Sequence, residues 1–209
     1  FSVQSVSGAK HVQLRIRFGE SAAEAMSELG GQTHATNDHA IRDCTMWVQS
    51  LSMNPIGETG FRFARIDLLT RDTSICLKTV NAVMVFRDIP YLGSFQSSDP
   101  LLNRIWDVGA YTVHLNMQQY IWDGIKRDRL VWIGDLHPEI ATIQTVFGDQ
   151  KVIRDSLDYV VSETPDGAWM NDIPSYSMWW IIIQHDYFMQ FGNTEYLKKQ
   201  LPYMKRLCR

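Results

Sequence analysis

The sequence predicts a β-sheet domain followed by an array of α-helices, and three observations support this order. Short segments with apolar residues at every second position fill the chain up to about residue 93. Gly- and Asn-rich turns separate them, as is typical of an antiparallel β-sandwich or jelly roll. Longer segments with apolar residues at helical spacing follow. We therefore predict a β-sandwich domain at residues 1–93 and a helical domain at residues 94–209.

Three segments of the first part have the residue pattern of strands. "HVQLRIRFG" places Val12, Leu14, Ile16 and Phe18 on one face, with polar residues between them. "GFRFARIDLLT" repeats this alternation, and "ICLKTVNAVMVFRDI" is rich in β-branched residues. "ESAAEAMSEL" could pass for a short helix and is interpreted as a helical turn or a loop. The first part is therefore expected to consist mainly of short strands.

Five helices are predicted in the second part. The first has Asp99 as its N-cap and Pro100 at its first helical position. The second covers about residues 136–147. The third helix is predicted to start at an Asp149 cap, and the fourth to run from near Ser175 to Gly192. The fifth begins after Thr194 and contains Pro202, which can break or kink it.

The fourth predicted helix, which contains "YSMWWIII", is apolar nearly all round, so other helices should enclose it. Five helices are too few to do so. We therefore expect this chain to be a segment of a longer protein.

Composition excludes several functional classes. The net charge of −3 argues against a nucleic-acid surface, and no apolar run reaches the ~18 residues that span a bilayer. The three cysteines are odd in number and widely spaced, without metal-ligand spacing. No HExxH motif or phosphate-binding loop is present. We expect no metal, no cofactor, and no nucleic-acid or membrane partner.

The segment "WDGIKRDRLVWIGD", residues 122–135, lies between the first two predicted helices and combines six charged residues with two tryptophans. Tryptophans at both ends can anchor a loop and hold its carboxylates in place. Asp123, Asp128 and Asp135 would then converge at one end of the helical array. The alternative interpretation is a solvated loop without a function.

This segment resembles the acidic signature of bacterial α-L-rhamnosidases, which are inverting glycoside hydrolases. "GSFQSSDPLLNRIW" resembles the family's linker and first barrel helix, and "IPSYSMWWIIIQHDYFMQFGN" resembles a later inner helix. "VQLRIRFGE" and "GFRFARID" resemble the preceding β-sandwich. The resemblance implies an antiparallel, jelly-roll-like β-sandwich followed by part of an (α/α)6 barrel, with residues 94–209 as the N-terminal part of the catalytic barrel.

The resemblance also implies roles for residues of the acidic segment. Asp128 would be the general acid, Asp123 and Asp135 would bind sugar hydroxyls, and Trp132 and Arg127 would frame the subsite. Many members of the family have Glu where this chain has Asp128, so Asp123 is the alternative acid.

Three further residues are candidates for the sugar site. Trp169, like Trp132, could stack on the apolar face of a deoxy sugar. His137 follows the Gly-Asp pair and could border the pocket, and Asp172 in "WMNDIP" could reach it. The expected partner is a glycan that contains rhamnose, and a periplasmic or extracellular location is expected for such an enzyme.

Hydrolysis with inversion needs a second carboxylate, which activates the attacking water. The resemblance assigns this general base to a Glu in a later barrel loop, expected beyond residue 209, whereas Glu139 and Glu163 are interpreted as cap or surface residues. We therefore expect little activity from residues 1–209 alone. Two other functions stay open: a glycan-binding module of the same architecture that cleaves nothing, and a helical interaction scaffold.

Overall fold

A computed structural model describes residues 1–31, 41–126 and 128–208. The chain divides into two compact units. The first, here called the β unit, comprises Phe1–Met84 and Ile125–Arg129. The second, the helical unit, comprises Val85–Gly124 and Leu130–Arg209. The domain boundary between residues 93 and 94 stays a prediction.

The described part of the β unit contains two three-stranded antiparallel sheets and one short helix, α1, at Ala22–Met26. One sheet has the strand order β4-β1-β6 and the other β3-β2-β5. The strands are β1 Ser2–Ser7, β2 His11–Gly19, β3 Asp43–Gln49, β4 Ser52–Met53, β5 Phe63–Leu68 and β6 Ser74–Thr79.

The alternation in β2 determines the core of the β unit. Val12, Leu14 and Ile16 are buried, as predicted, and pack with Val3 of β1 and Leu77 of β6 into one apolar cluster. Side chains of both sheets thus share this core. The antiparallel β architecture is confirmed at this level, while the jelly-roll topology stays a prediction.

The third predicted strand segment is wrong in its second half. β6 ends at Thr79, and residues 80–89 form no regular element. Val83 is 85% exposed and Met84 61% exposed, although both are apolar. No strand in the described part of the chain pairs with this segment, and β-branched composition alone does not form a strand without a partner.

The helical unit contains the five predicted helices. They are α2 Pro100–Asn116, α3 Ile133–Val146, α4 Lys151–Glu163, α5 Pro174–Phe191 and α6 Thr194–Leu207. A short 3-10 turn, Met170–Asp172, directly precedes α5. No helix in the described ranges is both long and apolar enough to cross a membrane.

Two of the predicted helix boundaries are confirmed, the Asp149 cap is wrong, and α6 is not broken at Pro202, whereas a kink there stays a prediction. Asp99 caps α2 by accepting a hydrogen bond from the Leu101 amide, and α5 ends at Gly192. The N-cap of α4 is Gln150, because the Asp149 carboxylate instead binds Arg154 and the Tyr187 hydroxyl. Pro202 does not end α6; Pro202 is exposed, as is Lys198, whose carbonyl loses its helical donor and can bind water instead.

The core of the helical unit lies between α3 and α5. Ile140 and Ile143 of α3 pack in the same buried cluster as Trp180 and Ile183 of α5. The opposite face of α5 is not enclosed within the described chain, since Met178 is 60% exposed, in agreement with the expectation that five helices are too few to enclose it. The complete (α/α)6 barrel implied by the resemblance stays a prediction.

Candidate active site

The segment Trp122–Asp135, here called the acidic connector, joins α2 to α3. Two hydrogen bonds join Asp123, near the start of the acidic connector, to Leu130. The Asp123 amide donates to the Leu130 carbonyl at 3.1 Å, and the Leu130 amide donates to Asp123 Oδ1 at 2.9 Å. The half-buried Asp123 carboxylate is therefore held by the backbone of the segment that it belongs to.

The middle of the acidic connector belongs to the β unit. Lys126 Nζ lies 2.5 Å from Glu24 Oε1, and an Arg129 guanidinium nitrogen lies 2.6 Å from Glu58 Oε2. Lys126 and Arg129, two of the three cations that neighbour Asp128 in the sequence, are thus bound to glutamates of this unit. Asp128 is half-buried in the same unit, and Arg127 lies outside the described residues.

The end of the acidic connector is fixed by Asn171. The Asn171 Nδ2 group donates to the Val131 carbonyl at 3.0 Å, and the Ile133 amide donates to Asn171 Oδ1 at 3.1 Å. Trp132, the N-cap of α3, lies between these two bonded residues. Its indole meets the Tyr176 ring edge-on, with 6.1 Å between the ring centroids. The two hydrogen bonds of Asn171 therefore constrain the backbone on either side of Trp132, and the Tyr176 ring constrains its indole.

Asp135 lies in the first turn of α3, where the helix dipole favours a negative charge. Its Oδ2 atom accepts a hydrogen bond of 3.3 Å from the Tyr176 hydroxyl. A Cβ atom on Gly134 would lie within 2.6 Å of Tyr176 Cζ, so glycine lets the tyrosine ring approach the helix. The Gly-Asp pair therefore brings an exposed carboxylate and an aromatic ring together.

Glu139 follows Asp135 by one helical turn and is only 8% exposed. Asn116 Nδ2 donates to Glu139 Oε1 at 2.6 Å, and Oε2 is buried without a hydrogen-bond partner among the described residues. Burial raises the pKa of Glu139 to about 8; the Asn116 hydrogen bond opposes this shift, and the charges of Asp135 and Asp123 add to it. Glu139 is therefore mostly uncharged at neutral pH, and its interpretation as a cap or surface residue is wrong.

Asp123, Asp135 and Glu139 form what is here called the carboxyl cluster. The charges of both aspartates also act on Tyr176, whose pKa is raised by burial first and then by Asp135 and Asp123. Asp123 and Asp135, predicted from the sequence, thus lie close enough to influence the same two side chains.

The other predicted residues lie elsewhere on the helical unit. His137 Nε2 lies 3.4 Å from Asp186 Oδ2, and its ring packs against Trp179. It lines a groove of about 310 Å³ between α3 and α5. Because His137 follows Asp135 by two residues, it points to the opposite side of α3. Trp169 and Asp172 are exposed; Trp169 is the N-cap of the 3-10 turn, and Asp172 is its last residue, next to Asn171.

Sequence reasoning missed Glu139 as a buried group and missed Asn116, Asn171 and Tyr176 altogether. Only Glu139 had a local signal, because its spacing from Asp135 places both on one face of α3. Within the described ranges, no group of three His, Cys, Asp or Glu residues could hold a metal ion. The cluster instead offers charged acceptors, a neutral acid and aromatic rings, a combination suited to binding hydroxyl groups.

Comparison with known proteins identifies related sequences. Residues 90–209 match the family model described as the bacterial alpha-L-rhamnosidase 6 hairpin glycosidase domain. An alpha-L-rhamnosidase of Formosa agariphila is 33% identical over 78 residues, which cover 37% of this chain and 8% of that protein.

Two solved structures share the fold. A rhamnosidase from Klebsiella oxytoca with rhamnose bound matches 99% of this chain with a TM-score of 0.74 and 18% identity. The GH78 family rhamnosidase of Bacillus sp. GL1 also matches 99% of this chain, with a TM-score of 0.66 and 19% identity. The match covers 44% and 22% of those two chains, so this chain spans less than half of either.

Proposed function

We propose, because this chain belongs to the bacterial α-L-rhamnosidase six-hairpin glycosidase family, that it takes part in hydrolysing terminal, non-reducing α-L-rhamnosyl residues of glycosides or polysaccharides. The observation that carries this proposal is the carboxyl cluster beside Trp132, at the end of the segment that resembles the family's acidic signature. We assign this chemistry to the mouth of an (α/α)6 barrel whose N-terminal part is residues 94–209.

Asp123 and Asp135 are proposed to bind the sugar. A carboxylate can accept hydrogen bonds from two hydroxyls at once, and charged acceptors form the stronger bonds. Trp132 would stack on the apolar face of the sugar and on its methyl group. The Tyr176 hydroxyl, which donates to Asp135 Oδ2, supports a fixed orientation of that carboxylate.

Asp128 is proposed as the general acid of an inverting reaction. It would protonate the departing oxygen while a second carboxylate takes a proton from the attacking water, with the two carboxyl groups about 6.5–9.5 Å apart. Lys126 and Arg129 are each bound to a glutamate, which offsets the positive charge that flanks Asp128 in the sequence. As the resemblance implies, the base would be a Glu of a later barrel loop.

Replacing Asp128 tests this assignment. We expect Asp128→Asn in the native protein to lower the turnover of an aryl α-L-rhamnoside by at least about 100-fold, because the amide cannot donate an acidic proton. Rhamnose affinity, measured by calorimetry, should change by less than threefold. Asp155→Asn, at a surface ion pair of α4, is the matched control and should keep full turnover.

Three other outcomes have clear meanings. Unchanged turnover in Asp128→Asn would exclude Asp128 as the acid, and Asp123→Asn would then test the alternative. Rhamnose binding without any turnover by the wild-type native protein would favour the glycan-binding module. Neither binding nor turnover would contradict the proposed function.

A further inference from the structure

The side chain of Asn171 bridges two backbone groups on either side of Trp132. Its amide nitrogen donates to the Val131 carbonyl at 3.0 Å, and its carbonyl oxygen accepts from the Ile133 amide at 3.1 Å. These two bonds span 40 and 38 residues of sequence. They tie the end of the acidic connector to the turn that precedes α5, and they are here called the Asn171 clamp.

The Asn171 clamp also satisfies a group that the helix leaves unpaired. Ile133 is the first residue of α3, so its amide has no acceptor within the helix. The Trp132 side chain itself makes no capping hydrogen bond. Asn171 therefore acts as an N-terminal cap supplied from a distant part of the chain, and it fixes the backbone that carries Trp132.

The backbone of Asn171 is adapted to this task. Its φ of 52° and ψ of 26° lie in the left-handed region, which Asn adopts more readily than most residues because its short polar side chain can form local hydrogen bonds. The preceding residue, Met170, is fully buried, and its amide donates to Ser177 Oγ of α5 at 3.1 Å. Asn171 is thus held on a rigid base beside α5.

We propose that Asn171 is a positioning residue of the sugar site, which sets rhamnose affinity by holding Trp132 in its binding orientation. This inference rests on the proposed function and adds a residue outside the acidic connector to it. Asn171 acts through Trp132 and does not itself contact the sugar. Tyr176, five residues later, supports the same arrangement by touching both Trp132 and Asp135.

The test removes the Asn171 clamp while keeping its backbone conformation. Asn171→Gly retains the left-handed φ at little cost and deletes both hydrogen bonds. In the native protein, its dissociation constant for rhamnose should rise about tenfold, because small displacements of a binding group weaken binding strongly. Asn171→Asp should show a smaller rise, because it keeps the acceptor for the Ile133 amide and loses the donor to Val131.

Asn193→Gly is the matched control. Asn193 caps α6 by accepting a hydrogen bond of 3.0 Å from the Tyr196 amide, so this variant undergoes the same substitution at another helix N-terminus. Its rhamnose affinity should stay within twofold of wild type, with both variants measured at a temperature where circular dichroism shows them folded. An unchanged affinity in Asn171→Gly would overturn the inference.

A double-mutant cycle separates positioning from general destabilisation. In a Trp132→Ala background, Asn171→Gly should change the rhamnose dissociation constant by less than twofold, since the group that it positions is gone. An equal, tenfold loss in both backgrounds would mean that Asn171 does not act through Trp132.

Hydrogen exchange keeps this inference distinct from the proposed function. The Ile133 amide should exchange faster in Asn171→Gly than in Asn193→Gly, whether or not rhamnose binds. If the wild-type protein binds no rhamnose, the proposed function fails and the role in sugar binding fails with it. Faster exchange at Ile133 would then still support the two hydrogen bonds of the Asn171 clamp. Equal exchange of the Ile133 amide in both variants would contradict the Asn171 clamp as well.

Discussion

Glu139 shows how one buried side chain changes the chemistry of the site. Two aspartates act on it electrostatically, and only Asn116 donates a hydrogen bond to it among the described residues. A third negative charge here would be buried and repelled, so the proton stays on Glu139 until the pH reaches about 8. The carboxyl cluster therefore combines two aspartates with one glutamic acid that is neutral at neutral pH.

The raised pKa of Glu139 makes stability depend on pH. Between its ordinary value of 4.5 and about 8, the folded protein holds a proton that the unfolded chain releases. The free energy of unfolding therefore falls as the pH rises through this window, by on the order of 1 kcal/mol per pH unit from this residue.

Glu139→Gln tests this dependence, because Gln cannot ionise and still accepts from Asn116. We expect the melting temperature of the variant, relative to wild type, to rise from pH 5 to about pH 8 and to level off by pH 9. Thermal unfolding followed by circular dichroism measures the difference. A difference that stays constant across this range would contradict the assignment of a raised pKa to Glu139.

The residue scale also shows what the sequence can and cannot predict. Asp123, Asp135 and Trp132 could be proposed as site residues because they lie in one short segment of unusual composition. Asn116 and Asn171 were not, since they act through contacts 23 and 38 residues away along the chain. These long-range contacts depend on how the helices pack. Nothing in the sequence around either asparagine indicates that packing.

At the scale of elements, the end of a helix could be predicted from the sequence where a single capping residue determines it. Asp99 caps α2, and Gly192 ends α5 with a φ of 63°. The cap of α4 was predicted wrongly because Asp149 has stronger partners in Arg154 and Tyr187. The strand after Thr79 was predicted wrongly because pairing depends on a neighbouring strand, which composition does not reveal.

Two Gly→Ala substitutions should have opposite effects on stability. Gly192→Ala should lower the free energy of unfolding by about 1 kcal/mol, because Ala adopts the left-handed conformation less readily. Gly109→Ala, inside α2 with open space around its Cα, should raise it by about 0.5–1 kcal/mol. Urea unfolding measures both. Destabilisation by Gly109→Ala would contradict the helical environment described for that residue.

At the scale of the whole molecule, the sequence predicted the order of β and helical parts correctly. It did not predict that Ile125–Arg129 group with the β unit, where Lys126 and Arg129 bind Glu24 and Glu58, because these contacts join residues far apart in sequence. It correctly predicted that the five helices of this chain leave part of the apolar surface of α5 uncovered within the described ranges. Membership in the rhamnosidase family and the shared fold agree with the resemblance carried by the acidic connector.

Asp123, Asp135 and Trp132 are proposed to form a site for rhamnose. Titration calorimetry of the native protein with L-rhamnose tests it most directly, with Asp135→Asn beside the surface control Asp155→Asn. We predict saturable binding that Asp135→Asn weakens about tenfold or more, because a charged hydrogen-bond acceptor is lost, while Asp155→Asn binds like wild type. Equal affinity in all three proteins, or no binding by wild type, would contradict the claim.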